Sequence, residues 1–228
     1  MMFSKVQLHR SSSETFQFAP QSISNGLVDI DETSILRPEA EQFIAKRFSS
    51  EYGAAVGYFL GRHILSYDQG TLKSVVGYHV ADEAPLYLEQ YLPAPVEQVI
   101  AHCRNVDEPI DRASVVEVGN LASTSPGSFR RLILSLCRYF HEGSFSWVVF
   151  TSTPLLLNTF KKLGLELVFL GDAREGDLEN GMEDWGSYYE HKPIVVAGNI
   201  GYGLQQLLAN PVLRKLLDRA PVPHREGF

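Results

Sequence analysis

The stretch Ala113–Gly143, ASVVEVGNLASTSPGSFRRLILSLCRYFHEG, decides the reading of the fold. Its first part reads as a strand. Val115, Val116, Val118 and Leu121 are branched and apolar, with one carboxylate, Glu117, set among them. Ser123–Ser128 follows, mostly small residues that suit a tight loop. A helix comes next, because Phe129, Leu132, Ile133, Leu136, Cys137 and Phe140 recur at helical spacing while Arg130, Arg131 and Arg138 fall off that face. Cations in the first turns oppose the helix dipole, a poor choice for stability alone. They fit an anion at the loop, where free backbone N–H groups and the positive helix end favour phosphate. The alternative is an ordinary strand–loop–helix turn with solvated arginines.

Working outward, 228 residues allow one large or two small domains, and 44% hydrophobic residues can fill a substantial core. A net charge of −7 disfavours nucleic acid as a partner. Two cysteines, Cys103 and Cys137, are too few for a disulfide framework or a zinc site, and a reduced, cytoplasmic setting is the simple expectation. No apolar run reaches the roughly 18 residues of a membrane span. MMFSKVQLHRSSSETF lacks the apolar segment of a secretory signal, so neither export nor integral membrane insertion is expected.

Before the central unit, Lys5–His9 alternates like a strand and Ser11–Asn25 is a Ser-rich loop. Pro38 opens a helix that Gly53 stops. Ala54–Tyr67 and Thr71–Val80 read as a hairpin about Asp68-Gln69-Gly70. Leu86–Leu92 is a short amphipathic piece, and Val96–Cys103 a helix. After the central unit come a strand at Phe145–Thr151, a helix at Pro154–Leu163 and a strand at Leu165–Leu170. The polar segment Gly171–Gly186 reads as a surface loop. Trp185–Tyr189 and Ile194–Ala197 form a strand pair, or an approach and one strand. Tyr202–Ala209 and a segment capped by Asn210-Pro211 read as helices, and 220–228 as frayed. The order predicts an α/β fold with a sheet of mixed, mainly antiparallel direction flanked by helices, and a C-terminal helical tail. The divisions expected are 1–36, 37–200 and 201–228, with the ligand at the loop after the central strand.

The strand, small-residue loop and helix resemble the coenzyme-A pyrophosphate site of GNAT-type acyltransferases, whose loop carries Q/R-x-x-G-x-G/A. Gly127 of Thr124–Phe129 matches that pattern and the first and last positions do not. Thr153–Leu165, TPLLLNTFKKLGL, resembles the segment that follows in the same fold, with Thr153 where Asn is usual and Phe160 where a Tyr often protonates the departing thiolate. A phenyl ring cannot donate that proton. PLYLEQYLPAPVE (85–97), VVEVGNLA (115–122), WVVFTST (147–153) and WGSYY (185–189) with Pro193 resemble the thermostable hemolysin family more narrowly, over roughly residues 37–200. That resemblance implies a GNAT-like fold, related in layout to acyl-homoserine-lactone synthases. It implies a phosphate and thioester site at Leu121, Ser123, Gly127, Ser128, Phe129, Arg130, Arg131, Thr153 and Phe160.

Glu117 is the first catalytic candidate. A carboxylate between two valines on a core strand is costly to bury without partners, and desolvation would raise its pKa toward that of a useful base. It could equally be an exposed strand residue or half of an ion pair. Glu89 could bind an amine or serve as a second acid–base group, or simply face solvent. Gly119 marks a bulge or a close approach, which in GNAT enzymes splays two strands and opens a slot for pantetheine. Asn120 could hold the thioester or the acceptor, or form a turn. Tyr91, Trp185 and Tyr188 could line the acceptor or acyl pocket, or pack the core. No metal-binding pattern and no serine-hydrolase elbow is present. The expectation is therefore an acyltransferase that takes acyl groups from acyl-CoA or acyl-carrier protein to the amine of a small, amino-acid-like acceptor, with a homodimer as one way to cover the apolar tail. The rival is a catalytically inactive GNAT-fold module that binds a partner or a lipid surface.

Overall fold

A computed structural model describes residues 23–105, 108–178 and 184–226. The strand expected at Lys5–His9 and most of the Ser-rich segment lie outside them. Eight strands form one sheet: β1 (Asn25–Ile30), β2 (Arg62–Asp68), β3 (Thr71–Val80), β4 (Val115–Ser123), β5 (Trp147–Ser152), β6 (Val168–Asp172), β7 (Ile194–Asn199) and β8 (His224–Arg225). Their spatial order is β6-β7-β5-β4-β3-β2-β1-β8. Only β4/β5 and β1/β8 run parallel; the other neighbours are antiparallel. The helix between β4 and β5 makes the crossover that a parallel pair needs, and the two-residue turn between β2 and β3 makes that pair an antiparallel hairpin. The mixed, mainly antiparallel α/β sheet expected from the sequence is therefore the one observed.

Among the described residues six helices cover it: α1 (Arg37–Tyr52), α2 (Val96–Arg104), α3 (Pro126–Glu142), α4 (Pro154–Lys162), α5 (Ile200–Ala209) and α6 (Pro211–Asp218). Pro38 sits in the first turn of α1, and Gly53 ends it at φ 70°, the left-handed conformation that glycine adopts without strain. On one face, Ala40 and Ile44 of α1 pack on Val28, Leu65, Val75 and Ala122. On the other, Leu132, Leu136 and Phe140 of α3 and Ile200 of α5 pack on Leu27, Ile64, Val76 and Val116. Asp29, only 1% exposed, ties three elements to β1. Its carboxylate accepts from the hydroxyls of Tyr78 on β3 (2.9 Å) and Tyr139 on α3 (2.6 Å), and from Arg62 on β2 (2.9 Å).

Three local readings are corrected, and one of two alternatives is found. The hairpin turns at Gln69-Gly70, both with positive φ as a tight two-residue turn requires, but its first strand begins only at Arg62. Ala54–Leu60 is irregular, apart from one bridge between Ala55 and Asp184, because a side chain of β4 takes its backbone groups. Asn25–Ile30 is a sheet strand that the reading of the sequence lacks. Tyr188–His191 is a 3-10 turn, so of the two alternatives for 185–197 the single strand is present. The terminal segment reaches back to pair with β1 through His224 and Arg225 instead of fraying. The helical tail packs down as well, with Leu207 and Leu217 buried against Ile133, Leu134 and Leu163.

His63 of β2 is fully buried, and neither ring nitrogen has a hydrogen-bond partner among the described residues. Burial, with the charge of Arg37 nearby, pulls its pKa down to about 4. The group is held neutral in the fold and protonates more readily when unfolded, so its contribution is complete above about pH 6.5 and is lost as pH falls toward 4. We expect the melting temperature to drop over that window. A His63→Phe variant should show a shallower drop in calorimetry across the same pH series.

Candidate active site

β4 pairs with β5 only through Val115–Glu117, opposite Trp147–Val149. Beyond Glu117 the two parallel strands separate, while β4 continues to pair with β3 through Ser123. The parting coincides with a bulge. Val75 faces Ala122 and Gly77 faces Gly119, so two steps on β3 match three on β4. The extra residue brings Asn120 to φ 49°. Its side chain accepts from Leu60 N (2.9 Å) and donates to Tyr58 O (3.0 Å), which pins the irregular segment after α1. Glycines permit this approach. A Cβ at Gly119 would meet Leu60 Cδ1 at 2.9 Å, and one at Gly77 would meet Asn120 Oδ1 at 2.9 Å.

The split opens a cavity of about 680 Å³. One end is aromatic: Tyr58, Tyr87, Tyr91, Trp185, Tyr188 and Tyr189 line it, with Phe48 and Tyr52 from α1. Tyr91 and Tyr189 share a hydroxyl–hydroxyl bond of 2.6 Å, and Phe48 and Trp185 meet edge to face with centroids 6.4 Å apart. The middle is the split itself, from Glu117 to Ser125 on one side and Phe150, Thr151 and Thr153 on the other. A third, apolar arm runs between α3, β5 and α5, lined by Leu132, Leu136, Cys137, Val148, Leu165 and Gly203.

Glu117 lines this cavity and is 4% exposed. Its two oxygens accept from Tyr87 N (2.8 Å) and Leu88 N (3.0 Å), the start of the 3-10 turn Tyr87–Tyr91. Burial pushes its pKa up to about 7, against the pull of those two N–H groups, and the charge of Glu89 adds to the rise. A carboxylate that gains and loses a proton near neutrality, at the point where two strands part, can serve as a base.

Glu89 is otherwise engaged and does not line the cavity. Arg112 grips it with two bonds, 2.6 and 2.8 Å, and Leu86 N (3.0 Å) and Val96 N (2.8 Å) donate to it as well. Burial pushes its pKa up, but these hydrogen bonds outweigh burial and leave it below the ordinary value. In this geometry Glu89 fastens the 3-10 turn. Asn120 lines the cavity, and its amide oxygen and nitrogen each hold one backbone group.

Of the residues expected at the phosphate loop, Leu121, Ser123, Phe129, Thr153 and Phe160 line the cavity, whereas Gly127, Ser128, Arg130 and Arg131 do not. The last two are exposed beside its mouth and make no ion pair among the described residues. Ser125 caps α3, its hydroxyl accepting from Ser128 N at 3.2 Å, so the backbone N–H of Gly127 remains open at the helix start. Phe160 stacks at 4.9 Å on Phe150 and offers no proton; Tyr58, Tyr87, Thr151 and Thr159 are hydroxyl groups that line the same space. Tyr91, Trp185 and Tyr188 all line the aromatic end. Sequence reasoning missed Arg47, Glu51 and Gly203. Helical spacing marks Arg47 and Glu51 as neighbours on α1, but nothing local says that this face meets Trp185. No group of three or more His, Cys, Asp or Glu among the described residues is placed to hold a metal ion, both cysteines are free thiols, and no helix among those residues is long and apolar enough to cross a membrane.

The family model for thermostable hemolysin matches residues 30–204, from the edge of β1 to α5, and so includes the split, the loop and the aromatic end. The chain belongs to the thermostable hemolysin family. No curated protein matches it. Among solved structures it is similar to the CoA-dependent acyl-homoserine lactone synthase BjaI, bound to SAM and isopentyl-CoA, at TM-score 0.55 and 11% identity over 90% of this chain and 94% of that one. It is similar to FeeM, an N-acyl amino acid synthase from uncultured soil microbes, at TM-score 0.52 and 15% identity over 78% and 98%. The AHL synthase LasI aligns at TM-score 0.50 and 11% identity over 89% and 100%. At these identities the likeness establishes a shared, GNAT-like fold. The bond network about Glu89 can be tested directly. Arg112→Met should leave Glu89 and Glu97 without their cation and loosen the turn that Glu117 holds. For this partly exposed pair the stability loss should be about 1–3 kcal/mol, read from urea unfolding.

Proposed function

We propose that this hemolysin-family protein is an N-acyltransferase that takes an acyl group from acyl-CoA or acyl-carrier protein to the amine of a small acceptor. The observation that carries the reading is Glu117, a buried carboxylate with its pKa pushed up to about 7, lining the cavity where β4 leaves β5. The unpaired edge of β4 beyond Glu117 suits an extended pantetheine arm, which can bond to strand backbone as another strand would. The start of α3, with Gly127 N open and Arg130 and Arg131 beside it, suits the phosphates. The acceptor's ammonium would give one proton to Glu117, directly or through water. The free amine then attacks the thioester carbonyl, forming the C–N bond. Collapse breaks the C–S bond, and the nitrogen's second excess proton goes to the sulfur, yielding amide and thiol.

Glu117→Gln tests this. Donor binding should survive, followed as a thermal shift with octanoyl-CoA, while turnover falls roughly 10²–10⁴-fold. Wild-type kcat/KM should rise through pH 7 and level off, because Glu117 must be ionised to accept the proton. The unfolded chain ionises this group near 4.5 whereas burial keeps it protonated in the fold up to about 7, so its contribution to folding stability is lost as pH rises over that window. A thermal shift with no turnover of any amine would instead favour the binding-module reading, and the exposed Val212, at 68%, and Leu208, at 40%, of the tail are the surface on which that rival would stand.

The apolar arm supports an acyl group longer than acetyl. A Cβ at Gly203 would meet Leu165 Cδ2 at 3.2 Å, so a larger side chain there must intrude on the arm or displace its wall. Gly203→Leu is expected to lower kcat/KM for decanoyl-CoA at least tenfold relative to butyryl-CoA. An unchanged chain-length profile would remove the acyl chain from this arm.

A further inference from the structure

The aromatic end of the cavity holds two hydrogen-bond donors with no protein partner. Trp185 Nε1 is buried and bonds to nothing among the described residues. Arg47 lines the same cavity, is half-buried, and makes neither an ion pair nor a hydrogen bond among those residues. A partly desolvated guanidinium with five unshared donors is an unusual thing for a fold to leave alone. The lining residues with positive charge are Arg47 and Lys162, and Lys162 closes α4, in a different wall. Arg47 belongs instead to the last turns of α1. The residue after it, Phe48, lies with its ring 6.4 Å from Trp185 and 6.5 Å from Tyr188.

We infer that Arg47 and Trp185 form a receptor for the carboxylate of an α-amino acid, whose amine is thereby presented toward Glu117. The inference rests on the reading of acyl transfer to an amine and names its acceptor. Complementarity carries it. An α-amino acid brings one anionic group and one cationic group a few ångströms apart. This end of the cavity offers a cation from α1 and a neutral indole N–H donor, and the carboxylate of Glu117 for the ammonium. The guanidinium can meet a carboxylate with two parallel bonds, which a point charge cannot. The aromatic rings between them offer apolar surface for a side chain and π-faces for the ammonium. A donor phosphate is the other anion that Arg47 could serve. The aromatic neighbours of Arg47 argue against it, since a phosphate is better placed at the exposed arginines of α3.

Calorimetry and kinetics together decide it. The probes are L-leucine, L-methionine, L-phenylalanine and L-tyrosine, each beside its primary carboxamide, titrated onto the full chain with and without octanoyl-CoA and then used as acceptors. At least one amino acid should bind, and bind tenfold or more tightly than its carboxamide. Arg47→Gln should weaken the amino acid about 10–100-fold, the worth of hydrogen bonds to a charged group, leave the carboxamide nearly unchanged, and leave the KM for octanoyl-CoA unchanged. Trp185→Phe keeps the ring and removes the N–H; it should weaken acid and amide alike, because both offer a carbonyl oxygen. If Arg47→Gln instead raises the KM for octanoyl-CoA and preserves the acid-to-amide ratio, Arg47 serves the donor and the inference is overturned. It is overturned equally if no amino acid binds to wild-type protein. Amino-acid binding without acyl transfer would sustain the receptor and remove the reading of the reaction.

Discussion

β4 can be paired on both edges only as far as Glu117. An unpaired strand edge inside a sheet is costly, because its N–H and C=O groups must find partners or water. The fold accepts that cost at one place and stabilises it from one side. The bulge that shifts β4 against β3 is held by Asn120, whose amide bridges to Tyr58 and Leu60. That bridge draws the segment after α1 across the glycines at 77 and 119, where a side chain would collide with Leu60 or Asn120. The same segment carries Tyr58 to the aromatic end of the cavity. One backbone irregularity thus opens the split and furnishes one of its walls.

The second wall depends on carboxylates. Glu117 receives two backbone N–H groups from the start of a 3-10 turn, and Glu89 within that turn is clamped by Arg112. The two acids lie in one network but carry opposite shifts. Glu89, with a cation at 2.6 Å, is stabilised as the anion; Glu117, whose burial outweighs its two neutral donors and which has an anion nearby, is stabilised as the acid. This division separates a group that fastens from a group that can exchange protons. It also means that Glu117 cannot be removed without consequence for Tyr87, which lines the same cavity, so Gln rather than Ala is the informative replacement.

Where local chemistry settled the conformation, the sequence was enough to read it. Pro38 and Gly53 bound α1, Gln69-Gly70 turns the hairpin, and Asn210 caps α6 with its side chain accepting from Val212 and Leu213 N. The carboxylate among valines in β4 was legible as a candidate, but neighbours that point to the other face of a strand leave its burial open until the sheet is assembled. What could not be read is long-range. Ala54–Leu60 is apolar enough for a strand, and groups distant in sequence, Arg37, Asn120 and Asp184, claim its backbone. Glu89 has the surroundings of a functional acid until Arg112, 23 residues on, reaches it. Arg47 is one more polar helix residue until α1 is docked beside Trp185. Asn25–Ile30 escaped notice because its two exposed or half-buried first residues hide the run that is buried from Leu27 onward.

The tail belongs to this argument rather than to an appendage. Ile200 and Gly203 of α5 line the apolar arm, and α5 packs on α3, whose own first turn stands at the loop. Leu207 and Leu217, both essentially buried, hold α5 and α6 against Ile133 and Leu134 of α3. Their burial removes apolar surface from water at roughly 25 cal/mol per Å², which is ample to keep α5 seated. The helix that floors the apolar arm is therefore anchored on the same helix that begins at the loop after β4. Two leucines outside the cavity, Leu207 and Leu217, thus hold that floor in place.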